Sequence, residues 1–383
     1  MTRSYKQASL ALLLVIAFVP TFWRVAPKPD SPFIVPARPA HEGAARSIYQ
    51  EHFITPGNLT AYTHASTLAE LANGDVMAAW YGGTREGADD AAIYQARLNK
   101  KTGIWSSARK ITDRQQTQVQ LNRFIKTLGN PVLFRDRLDR LWLFYVSVSA
   151  GGWSGSAINV MTSEDDGRSW GNAKRLIASP FINVSTLVRA APIELKDGRL
   201  ALPVYHELAK KFGELLIINH EAKVENKIRI GQSRNSLQPV LAVIDEHDAV
   251  AFLRDSGPRP RYILRSETRD GGKHWSPLMP TTLPNPNAGI YTHRLASGEL
   301  LMVYNHAQRG RHNLSLATSR DNGLNWETLH AFENEQPDRS MRFSYPFLIE
   351  TQDGLFHLSY TWKKHRIKHI TFNLAWLKKK QRQ

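Results

Sequence analysis

Ser163-Glu-Asp165-Asp-Gly167-Arg-Ser-Trp170 follows the strand-like stretch Ala157–Thr162 and has the form S-x-D-x-G-x-x-W. Ser319-Arg-Asp321-Asn-Gly323-Leu-Asn-Trp326 repeats it after Leu314–Thr318, and Thr268-Arg-Asp270-Gly-Gly272-Lys-His-Trp275 repeats it with Thr for Ser. Asn99 to Trp105 has the same outline without the Asp. An Asp in such a box accepts hydrogen bonds from the backbone N–H groups of a tight turn. The Gly supplies a positive φ. The Trp tucks between neighbouring sheets and needs a partner for its indole N–H.

A second pattern lies between the boxes: a turn followed by an apolar or alternating strand. Its copies are Asn73-Gly74 before DVMAAWY, Asp139-Arg140 before LWLFYVS, and Asp197-Gly198 before RLALPVY. Three more are His247-Asp248 before AVAFLR, Ser297-Gly298 before ELLMVYN, and Asp353-Gly354 before LFHLSYT. Successive turns stand roughly 50 to 66 residues apart. Repetition at this period, with several short strands per unit, predicts an all-β, six-bladed β-propeller. Sustained helical periodicity is lacking. The best competitor, Glu207–Ile218, is short and interrupted by Gly, which argues against a doubly wound α/β fold.

The composition agrees. The chain has 383 residues, 42% of them hydrophobic and 22% charged, with 24 Gly, 20 Pro and 10 Trp. That is a globular balance suited to short strands and turns. Cysteine is absent, which excludes a disulfide framework, a Cys nucleophile and thiolate metal sites. The formal charge of +16 favours a polyanion, an anionic lipid surface or an acidic glycan as partner.

Ahead of the repeats, Ala8–Trp23 forms an apolar run behind Arg3 and Lys6. It reads as a hydrophobic helix serving as a secretory signal or membrane anchor (residues 1–26), and an uncleaved anchor is favoured because no small-residue cleavage site follows. A stiff Pro-rich linker covers residues 27–47. The propeller is expected over 48–377 and a basic tail over 378–383. The domain would then face the periplasm from the inner membrane, or be secreted if the segment is cleaved.

The boxes resemble the Asp-box, or BNR, repeats of the sialidase superfamily. Further stretches are similar to a bacterial sialidase-like subgroup: His64-Ala-Ser66, Trp80–Gly87, Leu128-Gly-Asn130-Pro131, Gly151–Gly155, Leu202–Glu207, Gln238-Pro239, Pro284–Gly289, Ser344-Tyr345-Pro346 and Tyr360–Trp362. The resemblance implies arginines that grip a substrate carboxylate, an Asp acid/base, a Tyr nucleophile and a Glu that takes the Tyr proton. A neutral Tyr avoids repulsion with an anionic sugar. Carried onto this chain, the acid/base is Asp90, preferred over Asp89, and the nucleophile is Tyr345. The base is Glu207 or His206. The substrate-binding set is Arg85, Arg254, Arg311, His64, His206 and Asn130. The family's Arg-Ile-Pro arginine is replaced by the Tyr62-Thr-His64-Ala-Ser66 stretch, which leaves the carboxylate grip incomplete. That favours a uronate or a neutral sugar over sialic acid.

The resulting expectation is an exo-acting glycoside hydrolase on an extracytoplasmic, acidic glycan. An acidic-polysaccharide lyase or a non-catalytic glycan-binding propeller in polysaccharide assembly are the alternatives. No cofactor or metal is expected, because His64, His206, His293 and His306 follow no metal-ligand spacing. Nucleic acid is not an expected partner, since no known reader pattern occurs.

Overall fold

The computed structural model describes Leu12 and residues 31–36, 46–55, 57, 59–179, 183–232, 235–337 and 342–382. Six antiparallel sheets follow one another in chain order. Blade 1 consists of Tyr62–Glu70, Val76–Gly83, Ala92–Leu98 and Arg109–Asp113; blade 2 of Thr127–Arg135, Leu141–Val148, Ser156–Ser163 and Lys174–Arg175. In blade 3 the innermost strand is split into Leu187–Val188 and Ile193–Glu194, both paired with Leu200–His206, and Phe212–Ile218 and Val224–Ile230 follow. Blade 4 comprises Ser236–Val243, Ala249–Asp255, Tyr262–Thr268 and Met279–Pro284, and blade 5 Tyr291–Arg294, Leu300–Tyr304, Asn313–Ser319 and Glu327–Asn334. Blade 6 takes three strands from the C-terminal end, Phe343–Glu350, Leu355–Trp362 and Arg366–Asn373. Its fourth, Tyr49–Phe53, comes from the N-terminal side, with Tyr49 opposite Phe372 and Phe53 opposite Lys368. The chain is thus a six-bladed β-propeller whose last blade joins both ends of the repeat region.

Glu207–Ile218, the best helical competitor in the sequence, holds a strand instead: Phe212–Ile218, of which Gly213–Ile218 is buried. Two helices lie in the described domain. Arg114–Leu121 is capped by the Asp113 side chain on the Gln116 amide. Leu374–Gln381 is capped by Asn373 on the Trp376 amide, and it buries Trp376 and Leu377 against the edge of the ring. Neither is long and apolar enough to cross a membrane. The apolar run expected to anchor the chain lies outside the described residues apart from Leu12. Within the expected linker, Phe33 is fully buried with Leu195, Ala201, Ile217, Val243 and Ala249 of blades 3 and 4. Its amide donates to the Glu246 carbonyl at 2.8 Å.

Each box does local and long-range work. The Asp165 carboxylate accepts from the Ser169 amide at 2.8 Å and the Ser169 hydroxyl at 2.6 Å. Those bonds hold it down to about 2. Asp321 accepts from the Asn325 amide at 2.9 Å, and Asp270 from the His274 amide at 3.0 Å. In the copy lacking the Asp, Asn99 takes its place and accepts from the Lys101 and Thr102 amides, each at 3.0 Å. Three of the four box Trp residues reach back to the preceding blade, and the Trp275 indole donates to the Gly272 carbonyl of its own turn. Trp170 donates to Gln95 of blade 1, Trp326 packs edge-on against Phe252 of blade 4, and Trp105 meets His369 of blade 6. These contacts convert a local turn motif into packing between blades.

The innermost strands run in the same direction, so six short turns (71–75 to 351–354) lie at one end of the ring. The hairpins between the second and third strands lie at the other. Four inner strands bulge near their start, each at a residue with positive φ: Ala65, Asn130, Gln238 and Tyr345. A bulge aims its side chain out of the regular ladder. The four bulges, the break in blade 3 at Arg189, and Asn287 (φ 62°) before the blade 5 strand surround the central axis at the hairpin end. A cavity of about 350 Å³, lined by all six inner strands, lies at the opposite end of that axis and includes Glu70, His293 and Glu350.

Candidate functional site

Tyr345 sits in a left-handed conformation, φ 56°, immediately before Pro346. Arg189 holds it there. Its guanidinium donates to the Tyr345 carbonyl at 2.6 Å and to the Pro346 carbonyl at 3.2 Å. The same group lies 5.2 Å above the Tyr345 ring. Arg189 is 2% exposed, and burial pushes its guanidinium down to about 10, so it stays charged at neutral pH. His64 meets the phenol edge to face, with ring centroids 4.5 Å apart.

The Tyr345 hydroxyl accepts from the Gln238 amide nitrogen at 3.3 Å, and the same nitrogen donates to the Tyr205 hydroxyl at 3.3 Å. Asn130 donates to Tyr205 at 3.2 Å. The Gln238 carbonyl oxygen accepts from Arg254 at 3.2 Å. Asn287 then joins two guanidiniums: Arg254 donates to its side-chain oxygen at 2.6 Å, and Arg311 to its backbone carbonyl at 2.8 Å. Neither Arg254 nor Arg311 has a carboxylate within ion-pair distance among the described residues. Burial and the neighbouring Arg254 push Arg311 down to about 10. Two cations whose hydrogen-bond partners among the described residues are neutral oxygens leave guanidinium charge that a carboxylate can pair with, since a carboxylate fits a guanidinium fork.

His64 is buried, and its Nδ1 is 2.9 Å from the Thr361 hydroxyl. Burial, then the charge of Arg311, holds its pKa well below the usual imidazole range. It is therefore a neutral imidazole and supplies no third charge.

Five of the nine residues expected from the sequence thus stand in one network or against it: Tyr345, Arg254, Arg311, His64 and Asn130. Glu207 stands at its edge. Its amide donates to Ser185, and its charge helps raise Tyr205, whose shift comes mainly from burial. His206 points the other way. Its Nε2 is 2.7 Å from Glu214, and its ring stacks on Phe212, because neighbouring residues of a strand face opposite sides of the sheet. Arg85 is exposed on the blade 1 hairpin. The Asp90 carboxylate closes that hairpin, accepting from the Thr84 amide at 3.0 Å and the Thr84 hydroxyl at 3.1 Å. It lines a lateral cleft with Asp89, Tyr94, Lys110, Asp113 and Arg114.

The carboxylate of the same hairpin that turns towards the well is Glu86. It accepts from the Tyr62 hydroxyl at 2.9 Å and lies 3.5 Å from the Lys364 ammonium. Its charge is felt at Arg311. Glu86, Arg189, Gln238 and Asn287 were not among the expected site residues, although Glu86, Gln238 and Asn287 lie in stretches that carry the resemblance. A positional signal marks three of them: Arg189, Gln238 and Asn287 each stand roughly ten residues before a repeated turn, as Asn130 and Tyr345 do.

A model of the BNR repeat-like domain matches residues 74–358. No curated protein is similar enough in sequence to count as a match. Among solved structures, the Hadza microbial sialidase Hz136 superposes with a TM-score of 0.68 at 15% identity, covering 85% of this chain and 68% of that one. A protein of unknown function from Dyadobacter fermentans gives 0.68 at 15% identity, with 86% and 98% covered. The intramolecular trans-sialidase of Ruminococcus gnavus gives 0.66 at 15% identity, with 88% and 99% covered. At that identity the likeness is one of fold. With the boxes in place and the match spanning all six blades, the chain belongs to the BNR repeat-like domain family and has a sialidase-like propeller.

Proposed function

We propose that this propeller binds an acidic sugar at the Tyr345 end of its axis and hydrolyses its glycosidic bond, outside the cytoplasm. The observation that carries the reading is the pair Arg254 and Arg311, converging on Asn287 beside Tyr345 with neutral partners only. A sugar carboxylate held there brings its anomeric carbon over the phenol. Gln238 donates to the phenol oxygen, so the phenol's own proton points elsewhere. After loss of that proton the Tyr345 oxygen bonds the anomeric carbon as the glycosidic C–O bond breaks, and an acid on the 84–90 hairpin protonates the departing oxygen. Water then displaces Tyr345 from the sugar and the phenol is restored. Asp90 is the acid that the resemblance assigns. Glu86 is the one whose position supports the role, since it already touches the Tyr62 wall. Glu207, beyond Tyr205, is the proton acceptor in this scheme. The apolar Ala8–Trp23 run supports an extracytoplasmic location.

One observation favours a second reading, binding without turnover. The group bonded to the Tyr345 hydroxyl is an amide, which cannot accept its proton. Aryl glycosides of N-acetylneuraminate, glucuronate and galacturonate separate the readings. Release of the phenol marks a hydrolase. A rise in near-ultraviolet absorbance on an oligouronide, with no phenol released, marks a lyase. Saturable binding with neither signal marks a binding propeller. For the hydrolase, Tyr345→Phe abolishes release and leaves affinity within about threefold, since one hydroxyl contributes little to ground-state binding.

A further inference from the structure

Each blade sends one hairpin, between its second and third strands, to the face that carries Tyr345, and each brings a cation there. Arg85 stands on the hairpin of blade 1, Lys210 on that of blade 3, Arg259 on that of blade 4, Arg309 on that of blade 5 and Lys364 on that of blade 6. The blade 2 hairpin has no Lys or Arg of its own, and Lys126 supplies one by donating to its Gly151 carbonyl at 3.3 Å. Among the described residues, Arg85, Lys210, Arg259 and Arg309 are exposed and make no ion pair. On the blade 6 hairpin Lys364 stands 3.5 Å from Glu86 and Lys363 3.8 Å from Glu335. The blade 1 hairpin sets Glu86, Asp89 and Asp90 beside Arg85, so the uncompensated arc runs over blades 3, 4 and 5. In blades 4, 5 and 6, residues 256–261, 305–312 and 363–365 contain Arg or Lys and no Asp or Glu.

A ring of like charges repels itself and costs stability unless something outside the molecule neutralises it. The ring is also continuous with the well. Arg309 points outward and Arg311 inward from one hairpin, and Arg311 pairs by a backbone bridge with Arg342. We infer that this face is a docking surface for a polyanionic polysaccharide, a chain of repeating acidic sugars that engages the ring while one residue occupies the well. The inference rests on the reading of the well as an acidic-sugar site and extends it from a single sugar to a polymer. A monosaccharide reaches Arg254 and Arg311 and leaves the ring empty, whereas a charged chain neutralises both.

The test titrates the full-length chain with polygalacturonate, heparin, monomeric galacturonate and phosphatidylglycerol vesicles at rising sodium chloride. At least one polymer is expected to bind far more tightly than the monomer, with log affinity falling linearly against log salt as counterions are released. The triple variant K210E/R259E/R309E is expected to weaken polymer binding about 100-fold, the scale set by several cations each meeting an anionic surface. It leaves monomer affinity unchanged. K210Q/R259Q/R309Q, which removes charge without reversing it, falls in between and guards against misfolding of the first variant. Arg311→Ala does the opposite: monomer binding is lost and salt-dependent polymer binding persists. Failure of that arm alone counts against the well and not the ring. The inference is overturned if neither polymer outbinds the monomer, or if the triple variant binds polymer like the parent. Binding to vesicles and to neither polymer also overturns it, and makes the partner a membrane.

Discussion

On the opposite face, the turns of blades 4, 5 and 6, at 244–248, 295–299 and 351–354, contain Asp or Glu and no Lys or Arg, the reverse of the hairpins of the same blades beside Tyr345, while the turns at 136–140 and 195–199 carry both signs. Their charges are also handled differently. Asp245 accepts from the His247 and Asp248 amides, each at 2.8 Å, and Asp353 from the Thr351 hydroxyl at 2.6 Å. Glu299 pairs with Arg320 at 2.8 Å and Asp353 with Lys100 at 3.5 Å. Acids on that side close the turns that define the blades. On the Tyr345 side Arg85, Lys210, Arg259 and Arg309 are exposed and make no ion pair among the described residues. In blades 4 to 6 the turn end uses its charge to close turns and the hairpin end keeps cations to offer a ligand, so substitutions at the two ends should separate stability from binding.

The largest effect belongs to the box face. Gly323 has φ +84°, and a Cβ there would stand 2.3 Å from the Phe252 ring. Gly323→Ala is expected to cost on the order of 4 kcal/mol in thermal or denaturant unfolding, from backbone strain and overpacking together. A loss under about 1 kcal/mol would show that the box is not the joint between blades 4 and 5. Next comes the well. Arg311→Met should lower affinity for an acidic monosaccharide by about 3 kcal/mol, as for a charge-assisted pair. It should leave the melting temperature unchanged or higher, because a buried cation without a carboxylate is removed. A fall in both would make Arg311 structural.

A comparable effect follows pH. His64, His357 and His369 are buried, and burial lowers all three, His357 to about 4. The unfolded chain takes up these protons near the ordinary value of about 6.5, while the folded chain resists them. Stability is therefore full above that value and declines as pH falls from it towards 4, by on the order of 3 kcal/mol for His357. Unfolding midpoints that stay flat from pH 7.5 to 5 would contradict this, and His357→Gln should flatten the curve in part. The smallest effect is again on the Tyr345 face. Gly87 has φ +74°, but nothing lies within 4 Å of the added Cβ, so Gly87→Ala should cost about 1 kcal/mol or less.

The same contrast explains what the sequence disclosed. The boxes are legible because their chemistry is local: Ser163, Asp165, Gly167 and Ser169 bond one another within a single turn. The well is assembled from six blades, and its members need not resemble one another. Tyr345, Arg254, Arg311 and Asn130 were reached through family resemblance and stand together. Arg189 lies in the apolar run Leu187–Pro192, where nothing local marks a buried cation. Glu86 and Asp90 share one hairpin, and only the fold shows that Asp90 turns back onto Thr84 while Glu86 faces Tyr62. The two histidines named beside the well also differ by orientation alone, His64 facing Tyr345 and His206 facing Glu214.

The most direct test of the uncompensated arginine pair is calorimetric titration of the full-length chain and of Arg254→Gln/Arg311→Gln with N-acetylneuraminate, glucuronate and galacturonate. The account expects at least one of these acids to bind the parent at one site per chain, and to lose about 100-fold or more in affinity in an equally stable double variant. Equal binding of acids by parent and variant, or binding of the corresponding neutral sugars as tight as that of the acids, would contradict it.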